Sequence, residues 1–328
     1  MNRNLQRSPA ATGGILAALT VAFGLLAQAL PFVFSFLAPM PLALAGILLP
    51  FGMATLSGAA SALILGMFLG PLAGVGFLLR TVIFGLACGM LVRAGKRFGV
   101  IFAGATLAQI VGTLLYLLVQ LALMGFKWQE FLRTFTGLED ELLKSADEMD
   151  LYSAVAASGG MDVTAAKQAF ASTVHVMVQL TPAIYVLLYA GLSAVVLLLL
   201  HALCLRLGTP QQVASPVWQK IIMPPAVLVA FLAAWVLLLV ERHFDNQVLW
   251  IVAANVMVIG AACMAVGGFS YCLAKLKITE KPFMMQILVL LLVLLMGWYL
   301  IVVFAALGVF DSIVDYRHLR SGKGESSQ

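Results

Sequence analysis

The sequence predicts an all-α polytopic membrane protein, and its composition and its long apolar runs both indicate this class. The chain has 328 residues, of which 62% are hydrophobic and 10% are charged. Soluble domains carry roughly 25% charged residues. The mean hydropathy of +1.05 is correspondingly high. Because lipid offers the backbone no hydrogen-bond partner, each long apolar run must form a helix.

The positions of the apolar runs predict nine transmembrane helices. One run, residues 40–69, would form a single helix about 45 Å long, whereas the hydrocarbon core is about 30 Å thick. Pro50 and Gly52 interrupt this run, so we divide it into two short helices. Left undivided, it gives eight helices in all. The runs lie at about 13–37, 40–69, 72–92, 99–125, 177–205, 221–240, 247–273 and 283–310.

Composition divides the chain into four regions. Residues 1–125 are Gly/Ala-rich apolar helices, and residues 177–310 are Leu-rich apolar helices. Between them, residues 126–176 hold eight of the chain's 14 acidic residues and must leave the bilayer. Residues 311–328 form a polar tail. This difference in amino-acid composition between the two apolar regions predicts two modules that pack differently.

The acidic region 126–176 contains an amphipathic helix, because its apolar and charged residues fall on opposite sides at helical spacing. Two arrangements fit this helix: it lies on the membrane surface, or it covers a cavity as a lid. Asp162 or Thr164 is expected to cap the helix that leads into the next span.

The net charge of +5 does not indicate nucleic-acid binding. The basic residues stand in small groups at the ends of the apolar runs, as the positive-inside bias produces. Counted on nine helices, these groups predict that the N-terminus is cytoplasmic. We therefore expect the lipid bilayer as the chain's surroundings and no nucleic-acid partner.

Small residues recur at every fourth position, a spacing that lets membrane helices approach closely. Most of these ladders are expected to serve packing within the chain. One ladder could instead contact a membrane-protein partner. It lies on the first helix and is formed by Gly14, Ala18 and Ala22.

Polar residues inside the spans are candidates for function, because each costs free energy unless it is paired or used. They are Gln28, Arg80, Gln109, Gln120, Gln179, His201, Asn255 and Gln286. From this set we take Arg80, Gln28, Gln109 and Asn255 as candidate ligand-binding residues. The amide side chains have a second interpretation, as hydrogen-bonding contacts between helices.

Arg80 is the most informative of these residues, since no Asp or Glu falls well inside any span. Its charge must be balanced by helix carbonyls, amide side chains such as Gln109, a lipid phosphate or an anionic ligand. Two readings stay open: Arg80 extends toward the headgroups or pairs with carbonyls, or it forms a binding site for an anion.

The sequence contains no Walker A, H-E-x-x-H, G-x-S-x-G or dinucleotide motif, so we expect neither an enzyme nor a cofactor. Asp311 and Asp315 stand four residues apart but lack the further ligands that a metal site needs. We expect them to pair locally with Arg317 or Arg320 and expect no metal.

Several stretches resemble the YybS-like family of uncharacterised bacterial multi-pass membrane proteins, a domain-of-unknown-function family. They are the Gly/Ala-rich first span "TGGILAALTVAFGLLAQALP", "GPLAGVGFLLRTVIFGLACGMLVR", the acidic region running into "VQLTPAIYVLLYAGLSAVVLLLLHALCLRLG", "PVWQKIIMP", "WIVAANVMVIG" with its single Asn255, and "ALGVFDSIVDYRHLR". The resemblance covers nearly the whole chain and implies a location in the bacterial cytoplasmic, or inner, membrane.

The N-terminal half is in turn similar to the substrate-binding (S) components of energy-coupling-factor vitamin transporters. That likeness implies a six-helix bundle followed by three C-terminal helices. It also implies that Gly14, Ala18 and Ala22 correspond to the small-residue face of the first helix, and "LPFVFSFLAPMP" to a loop that covers the ligand.

Two functions of different classes follow from these observations. The first is binding or transport of a small or amphiphilic molecule, with Arg80 facing an anionic group. The second is a scaffold or assembly factor that contacts other membrane proteins through its glycine ladders and its amphipathic region.

Overall fold

The computed structural model of the protein is all-helical, as predicted, over the residues that it describes: 8–30, 34, 36–123, 128–209, 221–244, 246–276 and 297–314. Within these ranges there is no strand, and twelve helices form if Pro71–Arg93 counts as one. The helices are α1 Pro9–Ala29, α2 Pro39–Leu48, α3 Phe51–Leu69, α4 Pro71–Arg93, α5 Phe98–Leu123, α6 Trp128–Glu148, α7 Leu151–Gly159, α8 Val163–Gln179, α9 Thr181–Leu207, α10 Pro225–Phe244, α11 Gln247–Leu276 and α12 Gly297–Val314.

The helices fit a protein that crosses the membrane several times. Six of them, α1, α3, α4, α5, α9 and α11, are long and apolar enough to span a bilayer. Three shorter apolar helices lie at Pro39–Leu48, Pro225–Glu241 and Tyr299–Val314. The count of nine transmembrane helices stays a prediction. Predictions for residues 210–220, 277–296 and 315–328, among them Gln286 and the pairing of Asp315, fall outside the described residues.

The chain folds into two compact units that are defined by packing and not by composition. The first unit comprises Met1–Leu138 and Leu188–Pro216. The second comprises Glu139–Leu187 and Val217–Gln328. Two helices, α6 and α9, therefore contribute residues to both units.

The short helix α2 lies at the centre of the first unit, where every residue from Pro39 to Ile47 is buried. Glycines of α4 allow its backbone to touch that of α2. A Cβ atom at Gly89 would lie 2.2 Å from the carbonyl oxygen of Ala43, and one at Gly85 would lie 2.8 Å from that of Pro39. The small-residue ladder of α4 thus permits a contact that any larger side chain would prevent.

The predicted division of residues 40–69 is confirmed by a break between α2 and α3 at Leu49 and Pro50. Proline lacks the N–H group that would continue the helix, so the break frees backbone carbonyls of the last turn of α2. The guanidinium of Arg93 donates a hydrogen bond to the carbonyl oxygen of Leu49. An arginine at the end of α4 therefore satisfies one of these carbonyls.

In the second unit, α11 and α12 pack through two glycines. A Cβ atom at Gly268 would lie 1.8 Å from the carbonyl oxygen of Phe304. One at Gly308 would lie 1.9 Å from the carbonyl oxygen of Met264. Without a hydrophobic drive between helices in lipid, such close backbone contact supplies the attraction.

A second break in a helix separates α8 from α9 at Leu180, and Asn255 of α11 satisfies the groups that it frees. The Asn255 side chain donates to the carbonyl oxygen of Gln179 at 2.9 Å and accepts from the N–H of Ala183 at 2.8 Å. It also donates to the carbonyl oxygen of Ile251 in its own helix at 2.8 Å. One amide thus bridges the end of α8 and the start of α9.

The helices α6, α7 and α8 form the acidic region, and α6 is strongly amphipathic, as predicted. The carboxylate of Asp162 accepts from the N–H of Thr164 at 3.1 Å, which confirms Asp162 as the N-cap of α8. The Tyr152 hydroxyl donates to the carbonyl oxygen of Leu143 at 3.0 Å and so ties α7 to α6. Whether the region lies on the membrane or forms a lid stays a prediction.

We predict that Asn255→Ala destabilises the second unit by about 1–3 kcal/mol, because it leaves a buried N–H and a partly buried carbonyl without partners. Unfolding of the detergent-solubilised protein, followed by circular dichroism during titration with denaturant, measures this change. Val252→Ala, an exposed position one turn earlier in α11, is the control. Equal stability of the two variants would contradict the capping role.

Candidate functional site

Arg80 lies near the middle of α4, in a π-helical turn formed by Leu78–Val82. A π-turn inserts one residue into the helix and shifts the hydrogen-bond pattern of its neighbours, and such turns are frequent at functional sites. The Arg80 Nε group donates a long hydrogen bond of 3.5 Å to the carbonyl oxygen of Gly76, one turn earlier. Part of the carbonyl pairing that the sequence suggested is therefore present.

Tyr116 of α5 provides the main contact of the Arg80 guanidinium. The guanidinium carbon lies 4.5 Å from the centre of the tyrosine ring, a cation–π distance that contributes about 0.5–2 kcal/mol. The ring packs against Gly76, where a Cβ atom would lie only 2.7 Å from it. Gln120 donates to the Tyr116 hydroxyl at 3.0 Å. The glycine and the glutamine together hold the ring beneath the arginine.

The backbone of α5 touches the π-turn directly at Gly112. A Cβ atom at this position would lie 2.1 Å from the carbonyl oxygen of Leu79 and 3.4 Å from the Cα atom of Arg80. Gly112 therefore sets the distance between α5 and the π-turn. Because Tyr116 follows one turn later in α5, the same contact places its ring at the guanidinium.

The charge of Arg80 has no acidic partner in the part of the chain that the structure describes. There, no carboxylate oxygen lies within 4.0 Å of the guanidinium, and the residue is exposed at the surface of its unit. A guanidinium carries five N–H donors, and only the Nε group has a described acceptor. The remaining donors form a fork that matches a carboxylate or a phosphate.

Gln109, the predicted amide partner of Arg80, does not bond to it. The Gln109 side chain is buried in the first unit, and its Oε1 atom has no hydrogen-bond partner among the described residues. It lies one turn before Gly112 in α5, so it is a neighbour of the π-turn. Its role as a ligand-binding residue stays a prediction.

The other two candidate ligand residues lie elsewhere. Gln28 is exposed near the end of α1 in the first unit. Asn255 belongs to the second unit, where its amide makes the three hydrogen bonds described above. These bonds match its second interpretation, as a contact between helices, and a ligand role for either residue stays a prediction.

The small-residue ladder of α1 faces away from the rest of its unit. Gly14, Ala18 and Ala22 are all exposed, and a Cβ atom at Gly14 would meet no atom within 4 Å. Gly13 and Gly24 of the same helix point inward instead, where added Cβ atoms would press on Ser57 and Leu65. The predicted partner face is thus free of contacts from the described residues.

Sequence reasoning missed a side-chain contact in the acidic region. The imidazole of His175 lies 3.1 Å from the carboxylate of Glu139, which is 36 residues away in the chain. The side chain of Gln179 is 2.8 Å from the other ring nitrogen. The spacing of His175 and Gln179 at i and i+4 was visible in the sequence, but nothing there pointed to Glu139.

The described residues contain no cluster of metal ligands. Within these ranges, no three His, Cys, Asp or Glu side chains lie close enough together to hold a metal ion. Arg80 and its neighbours Tyr116, Gly76 and Gln120 instead present a cationic group whose described contacts are an aromatic ring and one backbone carbonyl.

Comparison with known proteins identifies the family of this chain but no individual curated protein or solved structure. Residues 15–312 match the family described as "Predicted membrane protein (DUF2232)", which confirms the family resemblance stated from the sequence. No curated protein matches, and no solved structure matches. The likeness of the N-terminal half to S components therefore stays a prediction.

We predict that Gly112→Ala destabilises the first unit by about 1–3 kcal/mol, because the added methyl group collides with the carbonyl oxygen of Leu79. Gly99→Ala in the same helix is the matched control, since a Cβ atom there meets nothing within 4 Å. Thermal unfolding in detergent compares the two. A Gly112→Ala variant that is as stable as Gly99→Ala would show that α5 does not rest on the π-turn.

Proposed function

We propose a binding function for this chain, which belongs to the membrane-protein family that matches it. The first unit binds the acidic group of a small or amphiphilic molecule at Arg80, within the membrane, and this binding serves uptake or translocation. The observation that supports the proposal is the exposed guanidinium on Tyr116, with no carboxylate of the described chain beside it.

The free-energy cost of placing Arg80 in the membrane favours a bound acidic group beside its guanidinium. An arginine in the centre of a membrane helix costs roughly 2.5–3.5 kcal/mol on insertion scales. The cation–π contact and one long hydrogen bond offset only part of this cost. A carboxylate or phosphate that accepts two N–H groups of the guanidinium would offset the remainder.

The surroundings of Arg80 favour binding over catalysis. Its described contacts are the face of a tyrosine ring and a backbone carbonyl, and no carboxylate of the described residues lies beside it to act as an acid or base. We further propose that the protein resides in the bacterial cytoplasmic membrane with its N-terminus inside, as the grouping of its basic residues favours.

We predict that Arg80→Gln abolishes co-purification of an acidic small molecule or acidic lipid that the wild-type protein retains. Mass spectrometry of molecules released from the purified, denatured protein measures the retained species. Arg80→Lys keeps the charge but loses the fork of donors, so we expect it to retain an intermediate amount. Arg97→Gln is the matched control, because this exposed arginine lies outside the spans.

Circular dichroism of each variant shows whether it is folded before retention is compared. The proposal fails if folded Arg80→Gln retains the same acidic species in the same amount as the wild-type protein. It also fails if the wild-type protein carries only the lipids of the surrounding membrane, in their bulk proportions.

A second function, contact with another membrane protein, is favoured by the exposed ladder of α1. Gly85, Gly89 and Gly112 meet backbone of their own chain, whereas Gly14, like Gly52, Gly99 and Gly191, meets nothing within 4 Å. A face of small residues suits close approach of a second helix. The scaffold function would then depend on α1 and not on Arg80.

We predict that Gly14→Leu removes a stoichiometric membrane-protein partner that the wild-type chain retains when it is purified from its native membranes in mild detergent. Gly191→Leu is the matched control, because Gly191 is also exposed within a span and also meets no atom within 4 Å. Quantitative proteomics measures the ratio of partner to chain. An equal ratio for both variants would contradict the role of the α1 face.

A further inference from the structure

The helices α4 and α5 run in opposite directions in the first unit, and their contacts give the level of each residue. A Cβ atom at Gly76 would touch the ring of Tyr116, and one at Gly112 would touch the backbone of the π-turn. Residues that come later in α4 therefore face residues that come earlier in α5. By the same spacing, Gln120 of α5 lies near the level of Pro71, the first residue of α4.

Arg80 lies deep in the hydrocarbon region when α4 spans the bilayer. The 23 residues of α4 are apolar enough and long enough to cross it. Arg80 is nine residues from Pro71 and 13 residues from Arg93, the two ends of the helix. These separations correspond to about 14 Å and about 20 Å. A group that binds Arg80 must therefore pass through the interior of the membrane.

The exposed side chains of α4 and α5 next to Arg80 in depth are apolar. Val75 and Leu78 of α4 are each 36% exposed, and Leu114 and Leu115 of α5 are 55% and 40% exposed. Exposed apolar side chains at this depth of a membrane helix contact acyl chains and not water. A molecule that is dissolved in the bilayer can approach Arg80 through these chains. A free water-soluble anion would first have to leave water, at a high cost in free energy.

Polar side chains of α5 lie between Arg80 and the beginning of α4. Tyr116 and Gln120 are both half-buried. The Tyr116 hydroxyl accepts a hydrogen bond from Gln120 at 3.0 Å, and its own O–H group has no described acceptor. The second N–H group of the Gln120 amide also has no described acceptor. With the guanidinium, these side chains provide hydrogen-bond donors from the end of the helix to its middle.

The path from Arg80 to the other end of α4 has no comparable donors. Over residues 82–92, the only polar side chain of α4 is Cys88, which is fully buried. Thr106 and Gln109 of α5 lie at these levels, but Thr106 Oγ1 and Gln109 Oε1 are buried inside the unit. An anion that enters the membrane loses its hydration and favours a path on which N–H and O–H groups replace water. The donors therefore favour entry from the beginning of α4.

We propose that the ligand of Arg80 is an acidic phospholipid of the bilayer. Its phosphate enters from the beginning of α4 by way of Gln120 and Tyr116 and ends at the guanidinium. The inference rests on the proposed function, because it assigns Arg80 the phosphate of this lipid. The acyl chains stay among the exposed apolar side chains of α4 and α5. Since α5 ends at Leu123 and the chain continues into the acidic region, the lipid comes from the leaflet on that side.

A lipid and its water-soluble counterpart test the ligand class. Phosphatidylglycerol carries a phosphate on acyl chains, whereas glycerol 3-phosphate carries a phosphate without them. The full chain, purified in detergent and delipidated, is incubated with each compound at the same concentration, and native mass spectrometry measures the bound amount. We expect the wild-type protein to bind phosphatidylglycerol at least roughly tenfold more tightly, because burial of the acyl chains adds to the contact with Arg80. Arg80→Gln is expected to lose most of the bound lipid.

The rate at which the delipidated protein binds phosphatidylglycerol tests the path. Tyr116→Phe keeps the aromatic ring and its cation–π contact, so slower binding by this variant is due to the lost hydroxyl. We expect Tyr116→Phe and Gln120→Leu each to slow binding by roughly tenfold, as loss of one hydrogen bond to a charged group would produce. Tyr299→Phe is the matched control, because this exposed tyrosine lies in the second unit. Circular dichroism shows that each variant is folded.

The possible outcomes separate the ligand class, the path and the site. Preferential binding of the lipid that depends on Arg80, with slower binding by both path variants, supports the inference. Binding of glycerol 3-phosphate that is as tight as that of the lipid overturns the ligand class and leaves anion binding at Arg80 intact. Binding at the wild-type rate by folded Tyr116→Phe or Gln120→Leu overturns the path. Binding of both compounds that does not depend on Arg80 overturns the proposed function itself.

Discussion

In the hydrocarbon core of a bilayer, a polar group has only the protein or a bound molecule to pair with, and this constraint organises the chain. Helix breaks between α2 and α3 and between α8 and α9 free backbone groups. Arg93 donates to Leu49 at the first break, and Asn255 joins Gln179 to Ala183 at the second. In each case, the side chain that bonds to the freed backbone groups comes from a distant part of the sequence.

Arg80 differs from Arg93 and Asn255 in how its N–H donors are used, and this difference makes it the candidate binding residue. Arg93 and Asn255 use their donors on the backbone, whereas the described partners of Arg80 are one long hydrogen bond and the face of Tyr116. An aromatic ring attracts the charge but leaves the N–H groups in the guanidinium plane free. The cation is held in position while its donors stay available. A site of this kind favours recognition of an anion and requires no catalytic group.

Sequence patterns predicted the features that are determined by residues close together in the chain. Pro50 divides a run too long for one helix, and Asp162 caps α8 from its own side chain. Arg80 and Asn255 stood out because polar residues are rare in apolar runs.

The remaining features depend on contacts between distant residues or on backbone geometry. Tyr116 is one of three aromatic residues in α5, and only packing on Gly76 shows that it supports Arg80. The π-turn at Leu78–Val82 has no proline or other marker in its sequence. The pairing of Glu139 with His175 joins two helices of the acidic region and follows from their packing alone.

In the proposed function, something other than the chain's own acids balances the charge of Arg80. A structure of the full chain in nanodiscs that contain phosphatidylglycerol, determined by cryo-electron microscopy at a resolution that shows headgroups, tests it most directly. We expect an acidic group of a bound molecule within hydrogen-bond distance of the guanidinium, with the guanidinium still over Tyr116. A carboxylate of the protein in that place, or a guanidinium surrounded by bulk water, would contradict the account.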